Sequence, residues 1–347
     1  MNFASDNVYG VHPRILAALN DANSGTTPSY GSDDLSKRAQ ERLSEVFEKE
    51  VRAFLVTTGT AANGLALSAI SPPFGAVLCH AEAHVAVDEC GSPEMFTGGA
   101  KIIGLHGPEG KITPALIDRT LKGFIRGEHD PKPAAVSITN ASELGTTYKP
   151  DEIKAISALI KPRGMKLHMD GARFANAVVG SGAKPADLTW KAGVDVMSFG
   201  ATKNGAMMLE AVVFFNTALA EDFVYRRMRG GQLVSKSRYL GAQMLAYLDD
   251  DLWLKNATTA NALAAKLADG LRQSGRIRVV FPVEANEVFV VMPGNLDRRL
   301  RAAGAQYFEW MPDSLDSALR DDEVFVRFVL SYATAPDTVD RFLTAIK

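Results

Sequence analysis

Four short segments carry residue types that can do chemistry, and each lies where a strand pattern gives way to a loop. The first, Val56-Thr57-Thr58-Gly59-Thr60-Ala61-Ala62-Asn63, reads as a strand end, a glycine turn and a helix start. Such a turn presents backbone N–H groups at the positive end of a helix dipole, where a phosphate can sit. Glycine and threonine also serve βα turns simply as turn and cap residues, so this segment alone decides nothing. The second is His84, on a loop just past the apolar run that ends at His80. That loop lies above the carboxyl edge of a sheet, where α/β folds place ligands. An imidazole there can stack on a planar ring, or be satisfied by local backbone.

The third segment, Met165 to Arg173, alternates Met165, Leu167 and Met169 with Lys166, His168 and Asp170. Its period of two is that of a strand, with Asp170 at the carboxyl end and Gly171 and Arg173 just beyond. A carboxylate beside a desolvated pocket needs a cationic partner. Arg173 in a plain ion pair and a protonated ring nitrogen on a cofactor both meet that need. The fourth segment, Ser198 to Gly205, leaves the next strand and carries Lys203 among small and apolar residues. Desolvation there frees the amine as a nucleophile, whereas an ordinary loop lysine is a solvated charge.

Taken in order, a phosphate turn, a histidine loop, a strand-ending aspartate and a strand-exit lysine are what pyridoxal phosphate requires. Its phosphate wants a helix N-terminus, its ring a stacking partner, its pyridine nitrogen a carboxylate and its aldehyde an amine.

The elements that position these residues alternate along most of the chain. Strands are expected at Ala53 to Thr57, Ala76 to His80, Lys101 to Leu105, Ala134 to Thr139, Met165 to Asp170, Val194 to Phe199 and Ala211 to Phe215. Helices are expected between them, at Ala61 to Ile70, Pro114 to Lys122, Pro150 to Ile160 and Arg173 to Val179. This alternation predicts an α/β fold around a mainly parallel seven-stranded sheet. One long helical stretch, Ser235 to about Ser274, follows, and a domain boundary is placed near Tyr247 to Asp251. Residues 1–248 are read as an N-terminal arm and large domain, and 249–347 as a smaller C-terminal α+β domain. Its strands fall at Ile277 to Val280, Glu287 to Met292 and Val324 to Leu330, with helices from about Asn295 and Pro336. The Met207-Met208 pair and the aromatic runs near Phe214 and Phe308 are assigned to core rather than to a site.

The chain has 347 residues with 38 basic and 40 acidic side chains, a net charge of −2, and no long like-charge run. That balance leaves no electrostatic footprint for nucleic acid or an anionic membrane. Cys79 and Cys90 match no metal spacing and read as reduced thiols, so no metal site is expected. With no secretory leader pattern and no long apolar stretch, the expected location is cytoplasmic.

The chain resembles the L-threonine aldolases, pyridoxal phosphate enzymes of fold type I within the β-eliminating lyase group. The resemblance rests on Phe3-Ala4-Ser5-Asp6-Asn7, Tyr30-Gly31, Thr58 to Asn63, Ala83-His84, His168 to Arg173, Phe199 to Gly205, Gly230-Gly231-Gln232 and Arg327-Phe328-Val329. It implies that Lys203 bonds the cofactor's aldehyde and that Asp170 holds the pyridine nitrogen protonated. It implies further that Gly59 and Thr60 cradle the phosphate, that His84 stacks on the ring, and that Arg173 lies near the phenolic oxygen and the substrate. Ser5 and Arg327 would bind the amino acid's carboxylate. Tyr30 and Lys236 would reach the site of a neighbouring subunit, in a homodimer or homotetramer, with Lys236 and Arg238 competing for any phosphate role.

One departure is visible. Many relatives carry a histidine in the loop after the strand ending at Thr139, where this chain reads Asn140-Ala141-Ser142-Glu143-Leu144-Gly145. Glu143 takes that place. The implied reaction is a retro-aldol cleavage of L-threonine or L-allo-threonine to glycine and acetaldehyde, with His84 and Glu143 as candidate bases for the β-hydroxyl proton. Transamination, β-elimination or phenylserine cleavage on the same fold, and a non-catalytic α/β binding protein, are the competing readings.

Overall fold

The seven apolar runs do form one sheet in the structure, a computed structural model that describes residues 1–310, 314, 315 and 317–347. Its strands are β1 (Arg52–Val56), β2 (Gly75–His80), β3 (Lys101–Leu105), β4 (Lys132–Thr139), β5 (Lys166–Gly171), β6 (Val196–Gly200) and β7 (Glu210–Phe214). They lie in the order β1-β7-β6-β5-β4-β2-β3. The pairs among β2 to β6 are parallel, and only β7 runs against its neighbours. The period-two alternation divides each strand between two apolar layers. Leu167, Met169, Met197 and Phe199 face one layer, and Val77, Cys79, Val196 and Val212 face the other. A sheet covered on both faces offers a ligand only its edges, so the site must form at the strand ends.

A second sheet of four strands, β8 (Arg278–Val279), β9 (Glu287–Pro293), β10 (Phe308–Glu309) and β11 (Glu323–Val329), is antiparallel throughout. It forms the core of a smaller α+β domain. The N-terminal arm is tied to this domain: Phe3 is fully buried against Phe328 and Phe342, and its backbone bonds to Gln306 and Val329. Residues 5 to 7 then run from the small domain to the edge of the large sheet.

Two expectations need correction. The stretch from Ser235 to Ser274 is not one helix but two, Arg238–Leu248 and Leu252–Ser274. The break falls in the Asp249-Asp250-Asp251 run, where Asp250 and Asp251 both take a left-handed backbone with φ of 51°. Aspartate tolerates that conformation better than most residues. The second helix spans both cores, with Trp253 and Ala257 in the large one and Leu263, Leu267 and Leu271 in the small one. Met207, Met208 and Phe308 are exposed, not core, because the first two lie on the loop before β7 and the third on a short edge strand. Phe214 is fully buried.

Candidate active site

Val56 ends β1 and Thr58 caps the helix Gly59–Ile70, its hydroxyl accepting from the Ala61 N–H at 3.1 Å. Among the described residues nothing accepts from the N–H groups of Gly59 and Thr60. A Cβ added at Gly59 would meet no atom within 4 Å, so there is open space beside this residue. The turn before them is pinned from a distance: the Thr57 N–H and hydroxyl both donate to Gln232 Oε1, each at 2.9 Å. A fixed pair of unpartnered N–H groups at a helix N-terminus could cradle a phosphate.

β5 and β6 run side by side with Asp170 opposite Ser198, which sets the Asp170 exit beside the loop that carries Lys203. Glycine is needed at this edge, since a Cβ on Gly200 would run into the Ala172 carbonyl. Asp170 is buried, and its carboxylate accepts from the Ala172 N–H at 2.9 Å and from Asn63 Nδ2 at 2.7 Å. Asn63 Nδ2 also donates to Glu89 at 2.8 Å, and the same Glu89 oxygen lies 2.8 Å from His84 Nδ1. A continuous polar chain therefore joins His84 to Asp170. Its hydrogen bond to Glu89 raises the His84 pKa against the opposing effect of burial, while burial raises that of Glu89.

Glu143 comes up beneath His84. Its Oε1 accepts from the His84 backbone N–H and from the Thr139 hydroxyl, both at 2.9 Å. Its Oε2 is buried with no hydrogen-bond partner among the described residues. Burial, reinforced by the charge of Asp170, pushes its pKa up to about 7.

Lys203 sits in the single turn Thr202–Asn204 and makes no ion pair or side-chain hydrogen bond among the described residues. It shares a cavity of about 260 Å³ with Gly59, Thr60, His84, Glu143, Asp170 and Arg173. A larger cleft of about 660 Å³ lies at the opposite strand ends, around Arg52, Asp195 and Phe215, and has none of these groups. The smaller cavity has an amine without a partner, a buried carboxylate, a histidine and a phosphate cradle on its walls. Those groups fit pyridoxal phosphate.

Arg173 is held differently from the simplest expectation. Its guanidinium donates to both oxygens of Asp6, at 2.8 and 3.0 Å, and lies 3.5 Å from Glu287. Burial works against its charge, but Asp6 and Glu287 raise its pKa above the ordinary arginine value. Burial would likewise raise the Asp6 carboxyl, yet Arg173, Lys203 and Asn286 hold it below its ordinary value. Arg327 packs over the Trp310 ring at 4.2 Å and meets Glu287 only at 3.4 Å, and its Nε has no hydrogen-bond partner among the described residues. The Ser5 hydroxyl accepts from the Asn7 N–H at 3.1 Å and caps the turn that delivers Asp6. Neither Ser5 nor Arg327 is on the cavity wall, although Asn7 is.

Tyr30 and Lys236 are also outside this cavity. Both are exposed and share one surface, where the Tyr30 N–H donates to Ser235 and the Gly31 N–H to the Ser237 hydroxyl. Tyr30 takes a left-handed backbone, φ 59°.

The model of the beta-eliminating lyase family matches residues 2–294. The chain belongs to the beta-eliminating lyase family. It is similar to the low specificity L-threonine aldolase of Pseudomonas aeruginosa, 46% identical over 310 residues that make up 89% of each chain. A low specificity L-threonine aldolase from a Pseudomonas species is 45% identical over 309 residues, again 89% of each. Among solved structures, a Leishmania major threonine aldolase superposes with a TM-score of 0.92 at 29% identity, covering 99% of this chain and 98% of that one. A Sphingomonas wittichii serine palmitoyltransferase shares the fold, with a TM-score of 0.71 at 17% identity over 100% and 86% of the two chains. The architecture is that of fold type I.

In this lyase several site residues escape a reading of local motifs. Asp6, Asn63 and Gln232 lie inside the segments that carry the family resemblance but have no role assignable from type alone. Glu210 and Glu287 do leave a signal, since each is an acid that opens an otherwise apolar strand. Glu89 leaves none: it is one more acid in the run Asp88-Glu89.

Proposed function

We propose that this lyase cleaves L-threonine, L-allo-threonine and related β-hydroxy-α-amino acids to glycine and an aldehyde. The observation that carries the reading is the meeting of Lys203, Asp170 and the free N–H groups of Gly59 and Thr60 in one cavity with two proton carriers, His84 and Glu143. Lysine and aspartate alone would serve transamination or β-elimination equally well. A carrier for the β-hydroxyl proton is the further group that a retro-aldol cleavage needs. The names of the Pseudomonas relatives support the same reaction.

Pyridoxal phosphate, when bound, supplies the sink for the electron pair released as the Cα–Cβ bond breaks. Lys203 would hold the cofactor through its aldehyde. Asp170, fixed by the Ala172 N–H and by Asn63, keeps the proton on the pyridine nitrogen. Gly59 and Thr60 hold the phosphate at the helix N-terminus. The substrate's carboxylate is assigned to Arg327 and Ser5, which lie beyond the cavity wall, with Arg173, held by Asp6, on the wall itself. Fixing the carboxylate would fix the torsion about Cα, and so which bond is presented for cleavage. We assign removal of the β-hydroxyl proton to His84, with Glu89 behind it, and hydrogen bonding of that hydroxyl to the free oxygen of Glu143. Tyr30 and Lys236 are assigned to the site of a neighbouring copy in a homodimer or homotetramer, because they occupy an exposed surface away from their own chain's cavity. Product analysis tests the reaction: equimolar glycine and acetaldehyde from L-threonine support it, whereas a keto acid or ammonia points to one of the other chemistries.

A further inference from the structure

Glu210 is an acid in an improbable place. It opens β7 with its Cα paired to Val56 on one side and Gly200 on the other, the last residues of β1 and β6. Its carboxylate therefore stands between the Thr57–Thr60 turn and the Ala201–Lys203 loop. It is buried, lies on the cavity wall with Thr58, Gly59, Thr60, Thr202 and Lys203, and fastens one oxygen to the Ala201 N–H at 2.9 Å. A second anion brought to the neighbouring cradle would meet an ionised Glu210 across a low-dielectric wall, which is unfavourable.

We propose that Glu210 is a proton-linked part of phosphate recognition: it holds a proton when the cofactor's phosphate is seated, and thereby turns a repelling carboxylate into a hydrogen-bond donor. The proposal rests on the assignment of pyridoxal phosphate above. The charged and titratable groups that face Glu210 are Lys203 on the loop after β6, Asp170 at the end of β5, and Tyr247 from the helix Arg238–Leu248. Burial and Asp170 raise its pKa, against the Ala201 and Thr202 hydrogen bonds and the Lys203 charge, to about 7. The proton balance is simple. Above that pH the free site has lost the proton, so binding takes one up from solvent, and affinity falls as pH rises.

Pyridoxine 5′-phosphate, which has no aldehyde to react with Lys203, is the probe. Its binding to wild type and to Glu210→Gln is followed by calorimetry in buffers of different ionisation enthalpy. Glutamine retains an acceptor for the Ala201 N–H and mimics the neutral acid. The expected result is that wild type takes up close to one more proton than Glu210→Gln at pH 8. Its affinity also drops about tenfold or more, relative to the variant, between pH 7 and pH 9. Equal proton uptake and parallel pH dependence would overturn the proposal. Should the variant fail to fold, infrared difference spectra of wild type and of the double variant Glu89→Gln/Glu143→Gln decide. A neutral carboxylic acid band that appears on binding in both supports Glu210, and its absence from either contradicts it. If wild type does not bind the probe at all, the cofactor assignment itself fails, whereas binding without proton uptake removes only the role of Glu210.

Discussion

His84 and Glu89 form a pair in which the histidine reaches the cavity and the acid is sealed behind it: the Nδ1 to Oε1 distance is 2.8 Å, with the Glu89 side chain fully buried. A carboxylate bonded to one ring nitrogen fixes the tautomer and leaves Nε2 to meet the substrate. Glu89 also raises the His84 pKa, so Glu89→Gln is expected to lower it. If neutral His84 is the base, the acid limb of kcat/KM then moves to lower pH, and the weaker base costs about tenfold in rate. An acid limb that stays in place would separate Glu89 from the proton chemistry.

Replacing the histidine itself is more severe. His84→Asn is expected to lower acetaldehyde release by about 10²-fold or more while cofactor remains bound, the usual size of a general base contribution. An unchanged rate with bound cofactor would hand the proton to Glu143.

Asp6 joins the arm to the site through both its oxygens. Asp6→Asn leaves the Arg173 charge buried without its bidentate partner, and loss of such a partner costs about 3 kcal/mol or more. The Asp6 pKa lies below its unfolded value, so its contribution is present above the ordinary aspartate range and is lost as pH falls through the folded value. Urea titrations are expected to show a lower midpoint for Asp6→Asn at pH 7 and a narrowing gap from wild type below about pH 4. A gap that is constant across this range would mean that Asp6 is not the group whose titration is linked to folding.

Gln232 supports the Thr57–Thr60 turn from 175 positions further along the chain. Gln232→Leu removes the acceptor of both Thr57 donors. Two donors left without a partner cost about 1–3 kcal/mol each where they remain buried, and the turn ahead of Gly59 loosens. Cofactor dissociation after dilution, followed by absorbance, is expected to quicken several-fold, and an unaltered rate would show that the turn holds its shape without Gln232.

The large sheet was legible in the sequence because each strand is a short apolar run bounded by glycine, proline or charge, and burial on both faces demands such runs. The break at Asp249-Asp250-Asp251 falls inside the boundary expected near Tyr247 to Asp251, but its left-handed turn was not legible, since no proline or glycine marks it and a left-handed aspartate has no local signature. The same division holds at the site. Gly59, Thr60, Asp170 and Lys203 stand at strand exits and announce themselves by local pattern. Asp6 meets Arg173 across 167 positions, and Gln232 meets Thr57 across 175. Only the folded chain shows these pairings. Met207, Met208 and Phe308 show the converse error, because apolar type alone does not say that a side chain is inside.

Acetaldehyde released from L-threonine by protein supplied with pyridoxal phosphate, measured beside a Lys203→Ala variant, bears most directly on the whole assignment. Steady release by wild type and a loss of several orders of magnitude in the variant are expected. A wild type that holds the cofactor yet releases no acetaldehyde, or a Lys203→Ala variant as active as wild type, would contradict it.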